Sequence, residues 1–220
     1  MIQFANRRDA GQRLAAKLHA YKNRADALVL GIPRGGVVVA AEIARALQAP
    51  LDIFIARKIG APFNAELAIG ALAQDGAVFW DDALIAELHL SDRAVQRARV
   101  AQQAEIERRV KLYRGARPPL NIQNKNVIVA DDGVATGATT IAALRALRQH
   151  QPARLGLAIP VAPRQVAPLL RAECDEVILL DTPEPFQAVG FFYADFEQVT
   201  DNEVIEILTA QAPPLTQAPS

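Results

Sequence analysis

The sequence predicts an α/β fold in which helices cover both faces of a five-stranded parallel sheet. Two observations support this prediction: short apolar runs alternate with stretches whose apolar side chains recur at helical spacing, and small or polar residues mark the junctions. Parallel strands need a crossover between them, which a helix commonly supplies. The alternation is therefore typical of a parallel sheet, for which we expect the strand order 2-1-3-4-5.

Local signals set the limits of the predicted elements. The first strand stops at Pro33, Pro50 opens the second strand, and Ser91 is the expected N-cap of a long helix. Five strands are predicted, at residues 27–32, 51–56, 126–130, 154–160 and 176–180. Six helices are predicted, at residues 6–21, 37–47, 92–113, 139–149, 163–172 and 202–208.

Residues 59–120 interrupt this pattern between the second and third strands. We predict that they form an insertion made of a flexible loop followed by the long helix. Within it, residues 68–73 and 77–80 are expected to pair as a small hairpin around Gln74-Asp75-Gly76. The α/β pattern resumes directly after the insertion, which favours an excursion over a separate domain.

The predicted organisation is a single domain over residues 1–210. Its last part, residues 181–210, is expected to form a small hood over the site described below. The Gln- and Pro-containing end, residues 211–220, is predicted to be a disordered tail.

The charge balance argues against a nucleic-acid partner. The chain has 24 Lys and Arg and 24 Asp and Glu residues, so no overall basic surplus exists. The charges are nevertheless uneven, because residues 91–117 carry eight basic and three acidic side chains and the last 49 residues carry ten acidic and no basic ones. Two interpretations stay open: two solvated faces that pack against each other, or a basic segment that steers an anionic substrate.

Cysteine usage and hydropathy predict a cytoplasmic protein without membrane contact. Cys174 is the single cysteine, so no intrachain disulfide can form. No apolar run approaches the roughly 20 residues that cross a bilayer, and the first residues do not resemble a signal peptide.

The most informative segment follows the third predicted strand. Asp131 and Asp132 come at the strand's carboxyl end, where ligands collect in open α/β sheets. The loop then continues into a helix through small and hydroxylated residues, namely Gly133, Ala135, Thr136, Gly137, Ala138, Thr139 and Thr140. Carboxylates accept hydrogen bonds from sugar hydroxyls, while small residues before a helix N-terminus cradle a phosphate. The pair suits a ribose 5-phosphate, although an acid pair of the signalling-receiver type and simple helix capping are alternatives.

This segment resembles the signature of type I phosphoribosyltransferases, which bind 5-phosphoribosyl 1-pyrophosphate (PRPP). The resemblance implies that Asp131 and Asp132 bind the ribose 2- and 3-hydroxyls. It also implies that six residues wrap the 5-phosphate: Ala135, Thr136, Gly137, Ala138, Thr139 and Thr140. Some relatives that act on 6-oxopurines have an Asp where this chain has Ala135, whereas adenine-type relatives have Ala. The difference weakens a hypoxanthine–guanine assignment and leaves the acceptor open, with a purine-type base favoured.

Two further segments resemble the pyrophosphate-binding parts of the family. Arg34, Gly35 and Gly36 follow the first strand, where a plain tight turn is the alternative interpretation. We predict a non-proline cis peptide, or a distorted trans one, between Pro33 and Arg34. Arg57 and Lys58 end the second predicted strand and resemble the Arg-Lys turn of adenine-type relatives; two solvated charges are the alternative.

Catalysis and base binding are assigned to three regions. Glu66 lies in residues 59–73, the place of the family's mobile catalytic loop, and is a candidate general acid or base or else a surface residue. Arg34 and Lys58 are expected to assist by neutralising pyrophosphate. The aromatic segment 182–196 supplies Phe186 and Phe191 as candidate contacts to the base.

The resemblance implies transfer of the 5-phosphoribosyl group from PRPP to a nitrogenous base, with release of pyrophosphate. Magnesium is the expected cofactor, bridging pyrophosphate and ribose oxygens without a dedicated protein metal site. We expect PRPP and a small-molecule base as partners and no nucleic acid, and we leave a homodimer open. The alternative function is a non-catalytic PRPP- or nucleotide-sensing regulator on the same fold, and an acceptor other than a nucleobase also stays open.

Overall fold

The computed structural model of the chain describes residues 3–115, 117–119 and 121–211. Its strands are β1 Ala27–Gly31, β2 Leu51–Ile53, β3 Ala56–Ala61, β4 Asn64–Ala73, β5 Val78–Trp80, β6 Asn126–Ala130, β7 Arg154–Val161 and β8 Glu176–Asp181. Its α-helices are α1 Arg7–Ala15, α2 Gly35–Leu47, α3 Asp82–Glu87, α4 Asp92–Arg114, α5 Ala138–Gln149, α6 Ala167–Arg171 and α7 Asp201–Ala210. Among these residues no helix is both long and apolar enough to cross a membrane.

The central sheet has five parallel strands in the order β2-β1-β6-β7-β8. This arrangement confirms the predicted order 2-1-3-4-5. Every residue of β1 and of β6 is buried, because helices cover both faces of the sheet and strands of this kind read as continuous apolar runs. Gly31 and Ala130 pair at the carboxyl ends of β1 and β6, so the loops that follow these two strands start side by side.

A second, antiparallel sheet of β3, β4 and β5 corrects part of the sequence analysis. The second strand of the central sheet ends at Ile53, and Arg57 and Lys58 lie within β3 instead of terminating β2. They do so because β3 pairs along its length with β4, with Arg57 opposite Leu72 and Lys58 opposite Ala71. The loop expected at residues 59–73 is therefore a pair of strands.

The predicted hairpin between residues 68–73 and 77–80 is confirmed. Strand β5 pairs with β4, and the amide of Ala73 donates to the carbonyl of Ala77 across the turn (2.9 Å). Asp75 stabilises the turn because its carboxylate accepts the amide of Ala77 (3.1 Å).

The long insertion helix α4 begins and ends close to where the sequence predicts. The Ser91 side chain accepts the amide of Ala94 as the expected N-cap. At the other end, Arg114 Nη2 lies 3.0 Å from Asp52 Oδ2 and 3.2 Å from the Ile53 carbonyl. The side chain of Arg114 is only 9% exposed and that of Asp52 only 12%. A buried ion pair therefore holds the insertion against β2 of the central sheet.

A residue near the N-terminus packs into the expected hood. Phe4 pairs with the segment 182–196: its amide donates to Phe192 O and its carbonyl accepts from Ala194 N, both at 2.8 Å. Phe4, Phe192 and Tyr193 form a small buried aromatic cluster. After it, α7 starts at a capping box of Thr200 and Glu203.

Four predicted helices differ from the observed ones by two or more residues at one end. Helix α2 starts at Gly35 instead of at residue 37. The first stops at Ala15 and gives way to a 3₁₀ turn, His19–Tyr21, while α6 covers only Ala167–Arg171. The last extends slightly beyond its prediction. Of the predicted tail, residues 212–220 lie outside the described residues, and Gln211 donates its side-chain amide to the Ala41 carbonyl (3.0 Å).

Candidate active site

Two loops meet at the carboxyl edge of the central sheet. The first-strand loop, residues 32–36, follows β1, and the ribose loop, residues 131–140, follows β6. A Cβ added to Gly36 would lie 2.8 Å from both the Ala130 carbonyl and Asp131 Cα, and one added to Gly35 would lie 1.8 Å from Asp132 Oδ2. The glycines thus allow a contact that no side chain permits, and the structure brings Gly35 and Gly36 against Asp131 and Asp132.

The acid pair sits in a partly buried setting. The amide of Asp132 donates to Asp131 Oδ1 (2.9 Å), which fixes the first carboxylate against the loop backbone. Burial raises the pKa of Asp131 well above its ordinary value, and the neighbouring charge of Asp132 raises it further. Such a pair favours ligands that supply hydrogen-bond donors or positive charge, because these compensate for the lost hydration.

Arg7 is a functional candidate that the sequence analysis missed. Its Nε donates to Asp132 Oδ2 (2.7 Å), its Nη1 donates to the Glu197 carbonyl (2.7 Å), and its guanidinium carbon lies 3.8 Å from the centre of the Phe196 ring. The side chains of Arg7 and Asp132 are 11% and 17% exposed. One guanidinium therefore joins α1, the ribose loop and the hood.

The hood contacts the ribose loop in two more places. The Tyr193 hydroxyl donates to the Asp132 carbonyl (2.6 Å), and burial together with the Asp132 charge raises the pKa of Tyr193. Gly133 has a φ of +151°, and a Cβ there would lie 2.4 Å from a methyl group of Val189. The hood residues therefore rest directly on the loop that follows the acid pair.

The second half of the ribose loop offers a helix N-terminus. Gly137 is the N-cap of α5 with a φ of +86°, and no side chain caps the helix there. The first amides of α5 are thus available to an anion, as in other phosphate sites at helix ends. Ala135 and Thr136 are exposed, Ala138 and Thr139 are partly buried, and Thr140 is buried.

The first-strand loop has the backbone that the sequence predicts. The peptide between Pro33 and Arg34 is cis, and α2 begins at Gly35 without a side-chain cap. The Arg34 guanidinium lies 3.8 Å from Asp201 Oδ1 at the start of α7. A second uncapped helix N-terminus with an adjacent arginine thus faces the same edge.

The remaining predicted residues occupy different surroundings. Arg57 contacts α4, donating from Nε to Gln102 Oε1 (2.7 Å), and its pKa is lowered by burial and then by the charge of Arg109. Lys58 is partly buried on the same strand. The backbone of Glu66 belongs to β4, and its side chain lies outside the described part of the structure.

The two candidate base contacts differ in exposure. Phe186 is partly buried and its ring centre lies 5.2 Å from that of Phe192, so it packs into the hood. Phe191 is 67% exposed, so its ring is accessible to a ligand. Their role in base binding stays a prediction.

The donor set suits magnesium only in part. The described residues contain no group of three or more His, Cys, Asp or Glu that could hold a metal. Asp131 and Asp132 provide the hard oxygen atoms that Mg²⁺ prefers, and one Asp132 oxygen is engaged by Arg7. At this edge of the sheet, Asp131 and Asp132 are therefore the residues whose oxygens would suit a magnesium ion.

The chain is an α/β protein with a five-stranded parallel sheet, and an acid pair and two glycine-containing loops lie at the carboxyl edge of that sheet. Residues 3–194 match the family model of the phosphoribosyl transferase domain. The chain is therefore a member of the phosphoribosyl transferase family.

Relatives agree with this membership. Two Mycobacterium tuberculosis proteins, from strains CDC 1551 / Oshkosh and ATCC 25618 / H37Rv, are 40% identical over 208 residues, and each is named "Putative phosphoribosyl transferase". The alignments cover 94% of this chain but 47% of those proteins, so the chain spans about half the length of the curated relatives it matches.

Solved structures support the fold. TT1426 from Thermus thermophilus is 39% identical, with a TM-score of 0.83 over 96% of this chain and 100% of that chain. The AQ2163 protein from Aquifex aeolicus shares the fold at 12% identity, with a TM-score of 0.51 over 84% of this chain and 78% of that chain.

Proposed function

We propose that this chain transfers the 5-phosphoribosyl group of PRPP to a nitrogenous base, with a purine-type base favoured, and releases pyrophosphate. The observation that supports it best is the contact between the acid pair and the first-strand loop. Gly35 brings Asp132 against the start of α2. This contact supports a substrate whose ribose lies on the acid pair and whose C1 substituent lies beside Arg34, Gly35 and Gly36.

In this proposal, different residues bind different parts of PRPP. Asp131 and Asp132 accept hydrogen bonds from the ribose 2- and 3-hydroxyls, and the amides at the start of α5, with Thr136 and Thr139, bind the 5-phosphate. Arg34, Arg57 and Lys58 neutralise the charge that develops on pyrophosphate as the C1–O bond breaks. Rate enhancement comes mainly from positioning and from this charge stabilisation.

Magnesium completes the proposed site. A bound Mg²⁺ would neutralise part of the diphosphate charge and would thereby favour its departure. Asp131 and Asp132 are the residues of this chain that would hold it, directly or through water.

The acceptor is bound by the hood in this proposal. Phe191 offers an exposed aromatic face and Phe186 a partly buried one. Ala135 carries no carboxylate to bind a 6-oxopurine nitrogen, so an adenine-like acceptor is the first to test. Glu66 is the proposed general acid or base toward the acceptor.

Two measurements test the proposal. Calorimetry with ribose 5-phosphate and with PRPP, each with Mg²⁺, should show binding by the wild type and at least about tenfold weaker binding after Asp131→Asn with Asp132→Asn, since charged hydrogen bonds are lost. The matched control is Asp81→Asn with Asp82→Asn, an exposed adjacent acid pair at the start of α3 where asparagine also serves as an N-cap. Unchanged binding after Asp131→Asn with Asp132→Asn would refute the proposal.

Catalysis is tested separately, with a panel of bases and PRPP scored by pyrophosphate release. Release that depends on one base identifies the acceptor. PRPP binding without release for any base would favour the alternative, a regulator that senses PRPP or a nucleotide.

A further inference from the structure

One face of the insertion helix α4 is directed toward the proposed pyrophosphate site. Four polar side chains recur along it at intervals of three or four residues, so they share a face of the helix. They are Gln102, Glu105, Arg109 and Tyr113. We refer to them as the polar face of α4. At one end of this face Gln102 accepts from Arg57 of β3, and at the other end Tyr113 donates to Asp201, which lies beside Arg34.

Glu105 gathers three guanidinium groups. Its carboxylate accepts from Arg109 Nε (2.6 Å) and Arg108 Nε (2.8 Å), and Arg57 Nη1 lies 3.9 Å away. The hydrogen bonds from both helix arginines lower the pKa of Glu105 to about 2, so this carboxylate is ionised at neutral pH. The Glu105 side chain is 28% exposed, which leaves the cluster open to an anion from solvent.

Tyr113 connects the same face to the first-strand loop. Its hydroxyl donates to Asp201 Oδ1 (2.5 Å), and the same oxygen lies 3.8 Å from Arg34 Nη1. Burial and the Asp201 bond raise the pKa of Tyr113 to about 12, while the positive charges of Arg109 and Arg34 both oppose the rise. Asp201 Oδ1 therefore links Tyr113 on the polar face of α4 to Arg34 in the first-strand loop.

The cluster has an excess of positive charge. Arg34, Arg57, Arg108 and Arg109 face the two carboxylates of Glu105 and Asp201, which leaves a formal charge of +2. The contacts of Arg34 and Arg57 with these acids are long, at 3.8 and 3.9 Å, and ion pairs between partly exposed side chains are weak. A diphosphate presents more charge and suits bidentate guanidinium contacts, so it competes well for Arg34 and Arg57. To bind Arg109 it must displace the shorter bond of 2.6 Å from Arg109 to Glu105.

We propose that Arg109 of the insertion helix is a further pyrophosphate-binding residue, and that Glu105 holds Arg57 and Arg109 in place until the diphosphate replaces its carboxylate. This inference rests on the proposed function, because it places the pyrophosphate of PRPP beside the first-strand loop. It gives the insertion a direct part in substrate binding.

Calorimetry with three ligands tests the inference: inorganic pyrophosphate, PRPP and ribose 5-phosphate, each with Mg²⁺. Arg109→Gln should weaken pyrophosphate and PRPP by about tenfold and leave ribose 5-phosphate unchanged, since only the diphosphate loses a charged donor. Glu105→Gln should tighten pyrophosphate by a few fold, because the competing carboxylate is gone. Arg97→Gln, at an exposed position of the same helix, removes the same charge and should change nothing.

The two variants are expected to change pyrophosphate affinity in opposite directions, and this difference distinguishes a binding role from structural support of α4. If the Arg109–Glu105 pair only stabilised α4, both variants would weaken pyrophosphate together and lower the melting temperature, and the inference would be wrong. Unchanged pyrophosphate affinity in Arg109→Gln would also overturn it. The proposed function fails by a different result, namely no binding of ribose 5-phosphate by the wild type.

Discussion

Gly35 packs against the Asp132 side chain, and Gly35→Ala is a sharp perturbation of the site. The new Cβ would lie 1.8 Å from Asp132 Oδ2, 2.5 Å from Asp132 Cγ and 2.7 Å from Arg7 Nε. Because the atoms in conflict are side-chain ends, the backbone can stay in place while the Asp132 carboxylate moves. An ordinary contact needs at least 3.4 Å, so the oxygen must move by more than 1.5 Å.

That displacement breaks the hydrogen bond between Arg7 and Asp132. Both side chains are less than a fifth exposed, so the loss is larger than for a surface pair, and we expect about 2 kcal/mol of destabilisation. For a chain of this size, this corresponds to a fall of about 4–8 °C in melting temperature. The displaced carboxylate also no longer meets the ribose, so ribose 5-phosphate affinity should fall at least about tenfold.

The matched control is Gly156→Ala on β7. A Cβ there would be 3.8 Å from the nearest atom, an ordinary contact, and Gly156 is buried in the same sheet. Thermal unfolding and calorimetry should find this variant close to the wild type. A Gly35→Ala protein that kept both its melting temperature and its ribose 5-phosphate affinity would refute the assignment of Asp132 to the ribose.

Three predictions concern stability and reactivity away from the loops. Arg114→Met should lower the free energy of unfolding by about 3 kcal/mol in urea titrations, because a buried ion pair with Asp52 is lost; a loss below about 1 kcal/mol would contradict this. Burial raises the pKa of Cys174 to about 11, so iodoacetamide should label it at pH 8 roughly 100-fold more slowly than a small thiol, and a rate like that of a free thiol would be the opposing result. Burial and the hydrogen bond to Glu176 raise the pKa of Tyr21 to about 12; its contribution to stability is therefore fully present below pH 10 and is lost between pH 10 and about 12. Urea titrations across that range should show a smaller decline in the free energy of unfolding for Tyr21→Phe than for the wild type. Equal declines in the two proteins would contradict this prediction.

Local patterns sufficed for the central sheet and the ribose loop. The apolar runs of β1 and β6 and the residues after them are contiguous in the sequence, so their periodicity and their small side chains could be recognised directly. The cis peptide before Arg34 and the Ser91 cap also follow from adjacent residues, and the structure agrees with both.

Pairing partners could not be recognised in this way. Arg57 and Lys58 follow an apolar run, and the sequence places them at its end; the antiparallel partner β4, with Leu72 and Ala71 opposite them, makes them part of a strand. The basic segment left two interpretations open. Arg117 Nη1, just after α4, donates to the Leu208 carbonyl of the acidic C-terminal region, as expected if the two charged faces pack against each other. Steering of an anionic substrate by the basic segment stays a prediction.

The sequence by itself determined the parallel sheet, the acid pair and the glycine loops, because each depends on residues next to one another in the chain. Only the tertiary structure decided that Arg7 binds Asp132, 125 residues away, and that Tyr113 of α4 donates to Asp201 beside Arg34. Such contacts depend on where separate elements pack, and a lone arginine on an amphipathic helix carries no local signal of its distant partner. The ribose loop was thus predicted from its own residues, and its surroundings came from the fold.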